Sequence, residues 1–117
     1  MPTATYRVVI EDPTKFAVQA FFNAISDDSF VRTVTALLNS VGASFNDAHC
    51  EFPGDLDPGD PPFEGVRFSL YEDEVVLSVE EMLRVLVEAC SVQRVVHPEQ
   101  REAIDDLLRQ RALDYDR

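Results

Sequence analysis

The stretch FEGVRFSLYEDEVVLSVEEMLRVLVEAC, Phe63 to Cys90, decides how the chain folds. Val66, Phe68 and Leu70 alternate with Arg67, Ser69 and Tyr71, the period-two pattern of a strand with one buried face. Val75 and Leu77 resume the alternation after an acidic turn, Tyr71-Glu72-Asp73-Glu74, so the spacing predicts a hairpin, although the turn has none of the Gly or Asn that tight hairpins favour. Ser78 followed three residues later by Glu81 predicts a capping box, with each side chain bonding the other's backbone N–H. Met82, Leu83, Leu86, Ala89 and Cys90 then recur at helical spacing, while Glu80, Arg84 and Glu88 fall four apart on the opposite, solvated face.

Upstream, Thr5 to Ile10 reads as a strand with Tyr6, Val8 and Ile10 on one face. Asp12-Pro13 marks a helix start, since a proline at the first helical position lacks only an N–H that would be unpaired anyway. Phe16, Ala20, Phe21 and Ala24 make its core stripe, widened by Val18, Phe22 and Ile25. The break Ser26-Asp27-Asp28-Ser29 caps a second helix to about Ser40, carried by Phe30, Val34, Leu37, Leu38 and Val41, with Gly42 as the natural residue past its end. Residues 44–52 read as one strand with Ala48, Cys50 and Phe52 opposite Asp47, His49 and Glu51. Pro53 to Pro62 holds four prolines and two glycines, which excludes a regular element and predicts an exposed loop. Downstream, His97-Pro98 opens a last helix with Ala103, Ile104, Leu107 and Leu108 inward. The expected fold is α+β, a small, mainly antiparallel sheet packed by about four helices in the order β-α-α-β-β-β-α-α, as one domain over residues 1–117.

Charge is the most informative total. The 117 residues carry 22 acidic and 10 basic side chains, a formal charge of −12, with a pI near 4.3. Such a surface repels nucleic acid and anionic membranes and attracts basic partners. The excess is local: residues 51–88 hold eleven acidic groups against Arg67 and Arg84 alone. No apolar run approaches the length of a membrane span. Met1-Pro2-Thr3-Ala4 lacks the basic and apolar regions of a secretory signal, so a cytoplasmic location is expected. Two cysteines, Cys50 and Cys90, make no disulfide framework and read as small buried hydrophobes.

Motifs for chemistry fail on inspection. Asp55-x-Asp57 begins like a calcium loop, but Gly59, Asp60 and Val66 stand where an oxygen ligand, a glycine and a bidentate glutamate are required. His49 and Cys50 are adjacent on a strand and point to opposite faces, and Cys90 and His97 are separated by about 10 Å of helical rise. No phosphate loop, HExxH or G-x-S-x-G occurs. The expectation is a binding protein without catalytic residues, metal or cofactor.

The strand Phe63, Gly65, Val66, Phe68, the acidic turn, the Ser78-led helix and the final VVHPEQREAIDDLL together resemble the immunity proteins of bacterial contact-dependent growth inhibition systems, the CdiI group that protects against ribonuclease toxins. The resemblance covers about half the chain, the first half matching only in its general strand and helix order. It implies a cytoplasmic protein, monomeric when free, that binds one cognate toxin domain, the C-terminal nuclease domain of a large secreted protein, in a 1:1 complex. A ribonuclease site attracts phosphates and is therefore usually basic, which suits an acidic inhibitor. The residues expected to meet the toxin are Asp55, Asp57, Asp60, Glu72, Asp73 and Glu74, with Tyr71 and Phe63 as apolar anchors; core packing is the stronger competing account of Phe63. Two other classes stay open: a metal-dependent hydrolase using the Asp loop, and an acidic adaptor or subunit of a constitutive oligomer.

Overall fold

A computed structural model describes residues 7–113. Its elements run α1 (Phe16–Ala24), α2 (Phe30–Leu38), β1 (Ala43–Phe45), β2 (Ala48–Glu51), β3 (Val66–Leu70), β4 (Asp73–Leu77), α3 (Val79–Val96) and α4 (Arg101–Gln110). The four strands form an antiparallel meander in sequence order, the α+β arrangement expected, with two helices before the sheet and two after. Two local features differ from expectation. Residues 44–52 fold into a hairpin instead of one strand, because Asn46 adopts the left-handed conformation (φ 56°) that asparagine tolerates. The second difference lies at the strand expected over Thr5–Ile10. Thr5 and Tyr6 lie outside the described residues, and Arg7–Ile10 pair with no strand.

Side chains of α1 take the place of a strand partner there. The Asn23 carbonyl oxygen accepts from the N–H groups of Arg7 (2.9 Å) and Val8 (3.1 Å), and its amide donates to the Val8 carbonyl at 2.9 Å. Gln19 accepts from the Ile10 N–H at 2.7 Å. The backbone polar groups of an extended segment need partners wherever they are buried, and here two amides on one helix supply them.

The sheet buries one face. Ala48, Cys50, Val66, Phe68 and Leu77 join Phe21, Phe22, Phe30, Leu37, Leu86 and Ile104 in one hydrophobic core. The rings of Phe21 and Phe22 stand 5.6 and 5.9 Å from Phe68. Each such fully buried side chain contributes about 2–3 kcal/mol by transfer from water. Phe16 (49 % exposed) and Ala103, both expected inside, lie on the surface: α1 turns Ala17, Val18, Phe21 and Phe22 inward, and α4 turns Ile104 and Leu108 inward. Gly42 is not the residue past α2. Ser40 takes that left-handed position (φ 60°), with Val41 N–H reaching the Ala36 carbonyl and Ser40 N–H the Leu37 carbonyl, a Schellman closure. Gly42 is needed two residues later, where a Cβ would collide with the Cys50 carbonyl, as one on Gly65 would with that of Leu77. The capping box of α3 forms as expected, both bonds being 3.0 Å, and the helix continues past Cys90 to Val96.

Arg7 ties the helical layer together. Its guanidinium, 7 % exposed, donates to the Phe22 carbonyl at the end of α1 (2.8 Å), to Asp27 in the turn leading into α2 (2.8 Å) and to Gln93 of α3 (2.7 Å), and lies 4.8 Å from the centre of the Phe30 ring. Gln93, itself buried, passes its amide to Asp27 (3.2 Å) and Gln100 (3.0 Å), and Nε2 of His97 lies 3.1 Å from Asp27. Truncating Arg7 would leave a buried helix carbonyl and Gln93 without their donor, so Arg7→Ala should destabilise the fold by about 3 kcal/mol, measured by urea unfolding. Partial burial of Asp27 works to raise its pKa, but the hydrogen bond from Gln93 and the charges of His97 and Arg7 outweigh it and hold the carboxyl below its ordinary range. A carboxyl depressed by folding adds stability that is complete above its unfolded pKa, about 4, and is lost as pH falls through the folded value. The acid side of a pH–stability curve should therefore be shallower for Asp27→Asn than for the wild type.

Candidate functional site

Strand register divides the sheet into two chemically distinct faces. In the pairs Ala48↔Leu70, Cys50↔Phe68, Phe68↔Val75 and Val66↔Leu77 every residue points inward. The pairs Ser44↔His49, His49↔Ser69, Ser69↔Glu74, Glu51↔Arg67 and Arg67↔Val76 place the remaining residues outward. On that outer face Ser44, His49, Glu74 and Val76 are exposed, and Glu51, Arg67 and Ser69 half-buried. His49 Nδ1 lies 2.7 Å from the Ser44 hydroxyl. Arg67 donates to Glu51 from Nε (3.2 Å) and Nη2 (3.0 Å), and its guanidinium stacks 4.6 Å from the centre of the Phe63 ring. Phe63 is therefore not a core residue; Gly65, at φ 95°, turns the chain so that the ring lies over Arg67 on the outer face.

The residues expected to form one acidic surface fall into two groups at opposite ends of the sheet. The β3–β4 turn is only Tyr71-Glu72, with Asp73 and Glu74 already in β4. It sits beside the Asn46-Asp47 turn, since Phe45, Ala48, Leu70 and Asp73 are register neighbours. Tyr71, 78 % exposed and at φ 55°, gives its hydroxyl to Asp47, whose hydrogen bond and charge hold the phenol above its ordinary pKa. Asp47 was not among the expected site residues, because a single reading of 44–52 as a strand hid the turn that carries it. Asp55, Asp57 and Asp60 lie beyond β2, at the other end of β3, about 14 Å away along the strand.

The loop carboxylates also differ in how free they are. Oδ2 of Asp55 accepts from the N–H groups of Phe52 (2.8 Å) and Gly42 (3.1 Å), pinning the entry to β1 against the exit from β2. Asp60 closes its own turn by accepting from the Asp57 N–H at 3.1 Å. Both aspartates hold the Pro-rich segment in shape. Among the described residues no three His, Cys, Asp or Glu side chains converge to hold a metal ion.

Charge follows the two layers. Residues 43–77, the sheet and its connections, contain nine acidic side chains and one basic one, Arg67, which is paired with Glu51 and stacked on Phe63. The other nine basic residues lie outside that segment, many on the helices, where Arg84 pairs with Glu80, Arg94 with Asp105 and Arg109 with Asp106. The sheet layer is anionic and the helical layer mixed.

A family profile described as CDI immunity protein matches residues 14–108, from the start of the first helical turn to the last turn of α4. The chain belongs to the CDI immunity protein family. Its role is immunity against a CDI toxin, and membership implies binding of a cognate toxin. CDI immunity proteins are generally non-enzymatic. No curated protein matches the chain. Among the described residues no helix of this CDI immunity protein is long and apolar enough to cross a membrane.

Neither cysteine is placed for nucleophilic work. Burial pushes the Cys50 thiol far up, with the charges of Asp55 and Glu51 adding to it. Burial likewise pushes Cys90 up to about 12, the charge of Asp105 adding and that of Arg7 opposing. A thiol is reactive as the thiolate, so both should resist Ellman's reagent at pH 8 in the native protein and both should react in guanidinium chloride.

Proposed function

We propose that the chain acts as a single cytoplasmic domain that neutralises a cognate CDI toxin domain, a ribonuclease, by forming a stoichiometric 1:1 complex through its acidic sheet layer. The observation that carries the reading is the partition of charge, nine carboxylates against one neutralised arginine across residues 43–77, in a protein of the immunity family. A ribonuclease site must hold phosphates, and an inhibitor presenting fixed carboxylates competes for the same cations. Little ordering is needed on binding, since the strands, Asp55 and Asp60 already hold the surface in shape. Asp47, Tyr71, Glu72, Asp73 and Glu74 form the group at the turns, and Asp57 and Asp60 a second group at the far end. Asp55 serves the fold first and the partner second. Tyr71 is the exposed aromatic anchor.

The test is growth of a susceptible bacterium that expresses the toxin domain encoded next to this chain, with and without the protein, followed by calorimetry of the purified pair. Rescue together with 1:1 binding that weakens steeply between low and high salt is expected. Rescue with salt-independent binding would keep the immunity role and remove the acidic mechanism. A toxin domain that leaves RNA intact would remove the ribonuclease assignment.

A further inference from the structure

The proposed function names the acidic sheet layer but not which of its surfaces, the open face, the turns or the Pro-rich loop, meets the toxin, and the two layers of the molecule offer different chemistry. On the helical side a cationic partner meets exposed arginines at Arg84, Arg101 and Arg109 among the carboxylates. Among the described residues the uncovered face of the sheet presents no free arginine or lysine. Its one arginine, Arg67, is engaged by Glu51 on one side and by the Phe63 ring on the other. What this leaves is a centre made of the Glu51–Arg67–Phe63 unit, His49, Ser69 and Val76, the last 45 % exposed, bordered by Glu74, Asp47 and Glu72. An aromatic and arginine centre with a charged border is the composition of protein–protein interfaces. The other face of the same strands is filled by core residues, so the outward residues are free to be chosen for a partner.

We propose that the open face of the β1–β4 sheet is the docking surface, and that its occupant is a lysine- and arginine-bearing face of the toxin domain. This rests on the proposed function above and adds which surface of the sheet layer the toxin covers. The Arg67–Phe63–Glu51 unit supplies a neutral platform at the centre, and the carboxylates at the border meet the toxin's cations. Like charges facing each other across an interface are costly, so a new cation on this face should weaken binding where one on the helices does not.

The experiment uses the purified toxin domain encoded next to this chain and the full-length protein carrying Val76→Arg, His49→Arg or, on exposed α3, Val95→Arg. Both sheet positions are solvent-exposed, and thermal unfolding identifies any variant that fails to fold; either sheet variant alone suffices for the test. Each folded sheet variant is expected to lose at least about tenfold in affinity by calorimetry, and Val95→Arg no more than about twofold. Wild-type affinity in the folded sheet variants, or an equal loss in Val95→Arg, would overturn the proposed face while leaving immunity intact. Wild-type protein that neither binds the toxin domain nor rescues growth would instead remove the immunity reading and this proposal together.

Discussion

Phe68 stands against Phe21 and Phe22 of α1, and that contact fixes which side of the sheet is buried. Its neighbours across the sheet are Cys50 and Val75, both smaller, so the aromatic ring on the central strand has room to meet two rings from the helix. Because side chains alternate, a slip of one residue in a strand would send that strand's inward set to solvent and bring its outward set, with Arg67 in β3 or Glu74 in β4, into the core. The close approaches at Gly42 and Gly65 hold the same register from the backbone, each lying where a side chain would strike a carbonyl of the adjoining strand. The polar character of the outer face is thus a consequence of packing on the inner one.

The helix that covers the sheet has a second duty. While Phe21 and Phe22 pack on Phe68, Gln19 and Asn23 of the same helix hold the extended segment at Arg7–Ile10, and the Phe22 carbonyl accepts from Arg7. A cation at a helix C-terminus answers both the unpaired carbonyls and the negative end of the dipole there. Arg7 then reaches Asp27 and Gln93, so one guanidinium joins the end of α1, the approach to α2 and the last turn of α3. Every buried side-chain polar atom among the described residues finds a partner, which a half-satisfied network of this kind could not achieve.

Periodicity made most of this readable in advance. The strands of the Phe63–Cys90 stretch, the Ser78 cap, the Asp12 and Pro98 starts, which take the form of single 3-10 turns leading into α1 and α4, and the α+β class all follow from local rules that the tertiary fold leaves undisturbed. Two of the failures share one cause, a local pattern overruled by a distant partner. Val8 and Ile10 alternate as a strand does, but the segment's hydrogen bonds go to amides sixteen and nine residues away on α1. Phe63 carries the hydrophobicity of a core residue, yet the outer-face arginine it stacks on is fixed by a register no single segment reveals. The acidic residues were legible as a composition and not as a surface. Only the meander shows that the 71–74 group and the Asp55–Asp60 loop occupy opposite ends, and that Asp47 belongs beside Tyr71.

An immunity protein must recognise its own toxin and ignore others, and specificity of that kind needs surface positions that can change without loss of the fold. A sheet covered on one side supplies them. His49, Ser69, Glu74 and Val76 share strands with Cys50, Phe68, Val75 and Leu77, so the rigid core sets their spacing while none of them fills it. Substitution on such a surface changes stability little, whereas substitution one residue along the same strand opens a cavity. The helical layer carries ion pairs that join elements, Arg94 with Asp105 between α3 and α4 and Lys15 with Glu81 between the starts of α1 and α3, while in the sheet Arg67 with Glu51 joins β3 to β2. The sheet layer, by contrast, keeps its carboxylates largely unpaired by cations. A fold stabilised by charge on that side would have neutralised the anionic field on which the proposed docking face depends.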